Sequence, residues 1–266
     1  MMNRHEAEVN AEHREAPFFV GYLNKLPDGL GLFLFLAIVG FIAGMGGAGF
    51  FLSASQTDPG SGDPGWSGGR QELIGRLEFR PYPVLRVPAA DGEGARTYLL
   101  AGMGKRGAYG RSEEFDGLMV RAEGFISNRG SVSMMQVIGA RRGLVEADEH
   151  APPDYYPPEP RSLGKWQLTG EICDGKCYAG LMRPGTGLAH KACANLCLFD
   201  RVPAVFVSAG PVDGQDTFIL ANKDGRVLTP EEISPITALY LTAEGEVERI
   251  DDTLIFKMDM DSVEVR

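Results

Sequence analysis

The sequence predicts a mainly β protein: one transmembrane helix near the N-terminus, then two tandem OB-like β-barrel domains, the second with a cysteine-rich helical insertion. Three observations predict it. Residues 30–52 form a charge-free apolar run, the remainder of the chain contains an internal repeat, and the strand and helix signals of the second copy follow the OB order. The overall composition, 44% hydrophobic and 23% charged, is that of a folded chain and excludes a disordered one. A formal charge of -10 excludes a phosphate-binding surface, because nucleic-acid binders need clustered Lys and Arg.

No charge occurs between Asp28 and Asp58. The apolar run within that window is long enough to span hydrocarbon and exceeds the roughly 7–15 residues of a signal-peptide core. Arg4, Arg14 and Lys25 precede it, and the next basic residue is Arg70, so the tail should be cytoplasmic and the bulk outside. That bulk is periplasmic in a bacterium and lumenal in a eukaryote. Gly40, Gly44 and Ala48 fall four apart on one helix face, a smooth strip on which a partner helix can pack; the alternative is that glycine is simply common in membrane helices.

Residues 57–69 are rich in Gly, Pro and Ser and read as a flexible linker, whereas residues 151–160 carry five prolines and read as a stiffer one. The segments after them match in order. Gly75-Arg-Leu pairs with Gly170-Glu-Ile, Pro83-Val-Leu with Pro203-Ala-Val, Thr97-Tyr-Leu-Leu-Ala with Thr217-Phe-Ile-Leu-Ala, and Ala122-Glu-Gly-Phe-Ile with Ala243-Glu-Gly-Glu-Val. The first pair is 95 residues apart and the others about 120, so the second copy carries an insertion after its first strand. The plan is therefore a tail at 1–28, a spanning helix at 29–54, a linker at 55–69, a barrel at 70–147, a linker at 148–164 and a barrel at 165–266, with the insertion at 173–202.

In the second copy, residues 166–172, 204–208, 217–221, 239–248 and 253–258 read as strands, with turns at Asp224-Gly225 and Asp251-Asp252. Thr229-Pro-Glu-Glu-Ile between the third and fourth is a helix start: a capping Thr, Pro at the first position, and acids against the N-terminus. Five strands with a helix between the third and fourth is the OB order. The first copy gives the same strands and a weaker helix at residues 112–115.

The insertion holds every cysteine: Cys173 and Cys177 around Asp-Gly-Lys, then His190, Cys193 and Cys197 on a breaker-free segment, 188–198, that reads as a helix. At 100° per residue His190, Cys193 and Cys197 share one face, and a turn at Asp-Gly-Lys lets all four sulfurs meet. Two chemistries fit. Outside the cytoplasm four cysteines in a small domain pair as two disulfides, which would link the helix to the turn. Alternatively, thiolates with an imidazole bind copper, zinc or an iron–sulfur cluster.

Asp174-x-x-Cys177-Tyr178, His190-x-x-Cys193-Ala-x-x-Cys197 and the following Pro203 resemble a group of small, largely uncharacterised bacterial exported domains over about 90 residues from Gly170. The resemblance implies a bacterial inner-membrane protein with a periplasmic bulk and a cysteine–histidine site. In those domains position 173 is usually aliphatic and a glycine stands where this chain has Arg201; a shared set of Cys177, His190, Cys193 and Cys197 implies a metal site rather than paired disulfides. No G-x-S-x-G, P-loop or H-E-x-x-H occurs, so no catalytic residue is assigned. Gly102-Met-Gly-Lys, Glu113-Glu114 and Asp251-Asp252 read as structural, the acids as solvated. The expected role is an accessory or assembly subunit of a membrane redox complex, partnered by the membrane and other subunits; the alternative is a tethered metal or electron carrier.

Overall fold

The computed structural model describes residues 29–55, 63, 65, 68–90, 94–139, 143–148 and 155–266. The expected tail and most of the first linker lie outside them. Helix α1, Leu30–Ser55, has one face like another in hydrophobicity, as an apolar sequence without a polar stripe must. Residues Leu30–Ser53 are long and apolar enough to cross a membrane, and all but a few are exposed. Among the described residues, nothing lies within 4 Å of a Cβ built at Gly40 or Gly44, so the strip they form with Ala48 is open.

The first barrel consists of β1 (Gln71–Phe79), β2 (Pro83–Pro88), β3 (Ala95–Ala101), the short α2 (Tyr109–Ser112), β4 (Met119–Arg129), β5 (Val132–Val137) and the edge strand β6 (Leu144–Glu146). The order β1-β2-β3-β5-β4 closes through a β1–β4 pairing, with β3 and β5 parallel. The second repeats it with β7 (Arg161–Asp174), β8 (Ala204–Val212), β9 (Gln215–Asn222), α4 (Pro230–Ile233), β10 (Tyr240–Ile250), β11 (Thr253–Met258) and the edge strand β12 (Glu264–Val265). Here β7-β8-β9-β11-β10 closes through β10–β7, and β9 and β11 are parallel. Two closed five-stranded barrels are thus the fold, and α3 (Lys191–Phe199) lies in the connection between β7 and β8.

Close approach explains which glycines recur in the repeat. A Cβ on Gly75 would sit 2.3 Å from the Arg86 carbonyl oxygen, and one on its counterpart Gly170 2.0 Å from that of Val207. Gly124 and Gly245 repeat this on the fourth strand, at 2.2 Å from Gln136 O and 2.4 Å from Lys257 O. Only a residue without a side chain lets one strand fold tightly over another there.

Two hydrophobic clusters fill the barrels, and one of them takes residues from both. Leu77, Leu85, Tyr98, Leu100, Val120 and Met135 fill the first barrel, while Val84, Leu99, Ala101, Val132 and Met134 pack with the core of the second. Strand alternation sends neighbouring residues of β3 and β5 to opposite faces, and both faces are covered, so β5 is buried throughout and β3 everywhere but at Arg96.

A buried ionic network crosses the same interface. Arg86, 1% exposed, donates to Glu78 Oε2 at 3.0 Å, Thr97 Oγ1 at 2.9 Å and Asp251 Oδ2 at 3.3 Å. Tyr155 donates to Asp251 Oδ1 at 2.6 Å, and the Thr97 N–H donates to the Asp252 carboxylate at 3.1 Å. Asp251-Asp252 is the β10–β11 turn that the sequence predicts, but its acids are not solvated: they hold the first barrel. Two boundaries also move. Strand β7 begins at Arg161, inside the expected proline-rich linker, because its first residues pair with Glu248 and Arg249 beyond a bulge in β7 between Ser162 and Lys165. It ends at Asp174, so Cys173 is a strand residue rather than part of a turn.

Candidate metal centre

The insertion is organised by Asp174, the last residue of β7. Its Oδ1 accepts the Cys177 N–H at 2.9 Å, which closes a helical turn over Gly175 and Lys176 and turns the Cys177 thiol back towards the barrel. Its Oδ2 lies 2.8 Å from His190 Nε2. The D-x-x-C spacing is therefore a side-chain cap. His190 ends a short 3₁₀ turn, Leu188–His190, that runs into α3, and Ala194 and Leu198 anchor that helix in the core. His190, Cys193 and Cys197 consequently face Cys177, while Leu188, Leu196 and Phe199 face outward.

Four of the five residues singled out in the insertion come together. Cys177 Sγ, Cys193 Sγ and a ring nitrogen of His190 lie within 4.8 Å of one another, as do Cys177, Cys197 and an Asp174 carboxylate oxygen. Cys177 belongs to both groups and joins them. The Cys177 and Cys193 sulfurs are 3.9 Å apart. Two thiolates on a tetrahedral ion with metal–sulfur bonds of ~2.3 Å would be ~3.8 Å apart. Both Asp174 oxygens are already engaged, so Asp174 orients the imidazole by holding Nε2, the carboxylate–histidine arrangement of many metal sites, and Nδ1 is the ring nitrogen that could take an ion.

Cys173 stands apart. Successive side chains of a strand point to opposite faces, so Cys173 turns away from Asp174, towards Glu171 on its own face. It is fully buried, its thiol is pushed up well above the ordinary range by burial and then by the Glu171 and Asp174 charges, and it belongs to neither ligand group. The expectation that all four sulfurs meet is corrected by this strand geometry.

Electrostatics divide the remaining thiols. Cys177 is pushed up by its hydrogen bond to Cys197 and by burial, while Cys197 is lowered because it accepts that bond. Two lysines, neither picked out by the sequence reading, complete the site. Lys176 is 0% exposed, and its ammonium donates to the carbonyls of Gly102 and Gly104 in the first barrel; burial lowers its pKa, and the nearby Cys197, Cys177 and Asp174 oppose that. Lys105, from the same loop, donates to Cys193 Sγ at 2.6 Å, and that contact raises its pKa. The cluster Gly102-Met-Gly-Lys is thus one wall of the site. Its only trace in the sequence was a glycine cluster, which says nothing of what it will face.

Comparison with protein-family models, curated proteins and solved structures returns no significant match. Position 173 is a core site packed beside Val205, suited to an aliphatic side chain, and Arg201 has a φ of 58°, the left-handed region that favours glycine.

Proposed function

We propose that this chain is a membrane-anchored protein whose second barrel holds a thiolate–imidazole metal centre outside the cytoplasm. One observation carries the reading: Cys177, Cys193 and a ring nitrogen of His190 lie within 4.8 Å of one another, Cys197 joins them through Cys177, and Cys173 belongs to neither group, so the four cysteines do not divide into two pairs. Three thiols and one imidazole are the donor set of a closed, four-coordinate zinc site, with Cu(I) the competing ion. The buried ammonium of Lys176 supports it further. Hydrogen-bonded among the described residues to two carbonyls, it is compensated when the sulfurs beside it are thiolates, the state in which they bind metal.

A second reading, an accessory subunit of a membrane redox complex, is supported by the outward face of α3. Leu188, Leu196 and Phe199 are exposed, and Leu196 and Phe199 border an apolar cleft of about 450 Å³ with Pro230 and Ile233. Aliphatic and aromatic side chains gathered in this way form a surface that a neighbouring subunit would cover.

One preparation tests both. The full chain is extracted in mild detergent and purified without chelator or reductant, then analysed for metal, free thiols and companion subunits. Stoichiometric metal is expected. Metal-free protein lacking titratable thiols would overturn the first reading, and a pure monomer would overturn the second.

A further inference from the structure

The centre lies in the second barrel, yet part of its wall belongs to the first. The β3–α2 loop, residues 102–107, is held against the insertion at three points. Gly107 N donates to Asp200 O at 2.9 Å, just beyond the end of α3. The Gly102 and Gly104 carbonyls accept from Lys176, immediately before Cys177. Lys105 Nζ reaches Cys193 Sγ at 2.6 Å. The fit is close, since a Cβ on Gly107 would lie 2.3 Å from Asp200 O.

Cys193 is also the sulfur nearest to solvent: Cys177, Cys197 and His190 are buried, and Cys193 is half-buried. A metal leaving the centre, or a chelator or proton reaching it, has its shortest route at this sulfur. Lys105 covers it with an exposed side chain that touches no other ligand directly.

We propose that Lys105 is a positioning residue of the metal centre: supplied by the first barrel, it donates to the Cys193 thiolate and keeps the bound ion from escaping. The inference rests on the metal reading above. An ammonium hydrogen-bonded to a ligating sulfur fixes that sulfur's position and offsets its charge, and partners of this kind typically change metal affinity by about 10–100-fold. Because the loop is fixed by its backbone contacts to Lys176 and Asp200, removing the Lys105 side chain leaves the docking of the two barrels in place.

The test loads the full chain with zinc, transfers it to a chromophoric chelator in excess, and follows the release rate for wild type, Lys105→Ala and Lys105→Arg. Lys105→Ala is expected to release zinc about tenfold faster or more, and Lys105→Arg to restore most of the difference. In Co(II)-loaded protein the thiolate-to-metal charge-transfer band should shift in Lys105→Ala, a signature that general destabilisation does not produce. Equal release rates for wild type and Lys105→Ala, or an unchanged Co(II) band, would overturn the proposal while leaving the metal reading intact. A wild type that takes up neither zinc nor cobalt would overturn both. Equal destabilisation of metal-free and metal-loaded Lys105→Ala would make the residue structural and would also overturn it.

Discussion

The first barrel passes from β1 to β2 through residues 80–82, whereas the second passes from β7 to β8 through residues 175–203. The five strands on either side keep the same order, the same closure and the same parallel pair. A closed sheet satisfies its own backbone and presents no edge, so the length of a connection costs it little. The difference teaches where chemistry enters such a fold: Cys177, His190, Cys193 and Cys197 all stand on the long connection, and the first barrel contributes supporting contacts, from a loop and from Arg129.

The largest effect should come from substituting within the long connection. Cys177→Ser or Cys197→Ser should abolish stoichiometric metal binding, whereas Cys173→Val, an aliphatic replacement in a core site, should retain it. Elemental analysis of the three variants decides; loss of metal in Cys173→Val would show that the division between strand and insertion is drawn in the wrong place.

Next is the junction between the barrels. Arg86→Met leaves Asp251 buried without its cation and takes from Glu78 the nearest of its three, and should cost about 3–5 kcal/mol, the usual penalty for breaking a buried pair from one side. Urea unfolding would read it. A loss below ~1 kcal/mol, within the range of exposed pairs, would mean that the barrels are held by their apolar contacts alone.

The smallest effect concerns the helices between the third and fourth strands. In the second barrel α4 has a complete capping box: Thr229 Oγ1 accepts from Glu232 N, and the Glu232 carboxylate accepts from Thr229 N. No side chain caps α2 in the first. Hydrogen bonds from Arg226 and then from the Thr229 N–H hold the Glu232 carboxyl at about 2, below its ordinary 4.5. A depressed folded-state pKa contributes stability above pH 4.5 that is lost as the pH falls towards 2. Glu232→Gln should therefore destabilise by about 0.5–1 kcal/mol at neutral pH, a cap-sized effect in a solvent-screened position, and by nothing near pH 2. A penalty independent of pH would assign the effect to packing.

Much of this comparison was legible in the residues. Gly75 and Gly170 recur because both strands fold closely over a neighbour, and the Thr97 and Thr217 motifs recur because each is a strand paired on both sides. The Thr-Pro-Glu-Glu cap and the shared face of His190, Cys193 and Cys197 depend only on local spacing, and a sequence carries that directly. Contacts between distant residues were not legible. Lys105 meets Cys193 across 88 positions and Arg86 meets Asp251 across 165, and neither pair has a local pattern that would single it out. Cys173 was misplaced for a different reason: C-x₃-C reads as a turn, and whether a strand ends before or after its first cysteine is decided by pairing with Val205.

That placement also gives the protein an internal clock. The Cys173 thiol is sealed between β7 and the core, with burial holding it protonated and unreactive, so an alkylating reagent reaches it only when the second barrel opens. If metal is added and holds the other three sulfurs, the pace at which this one residue becomes labelled counts those openings in the native chain, without an engineered probe.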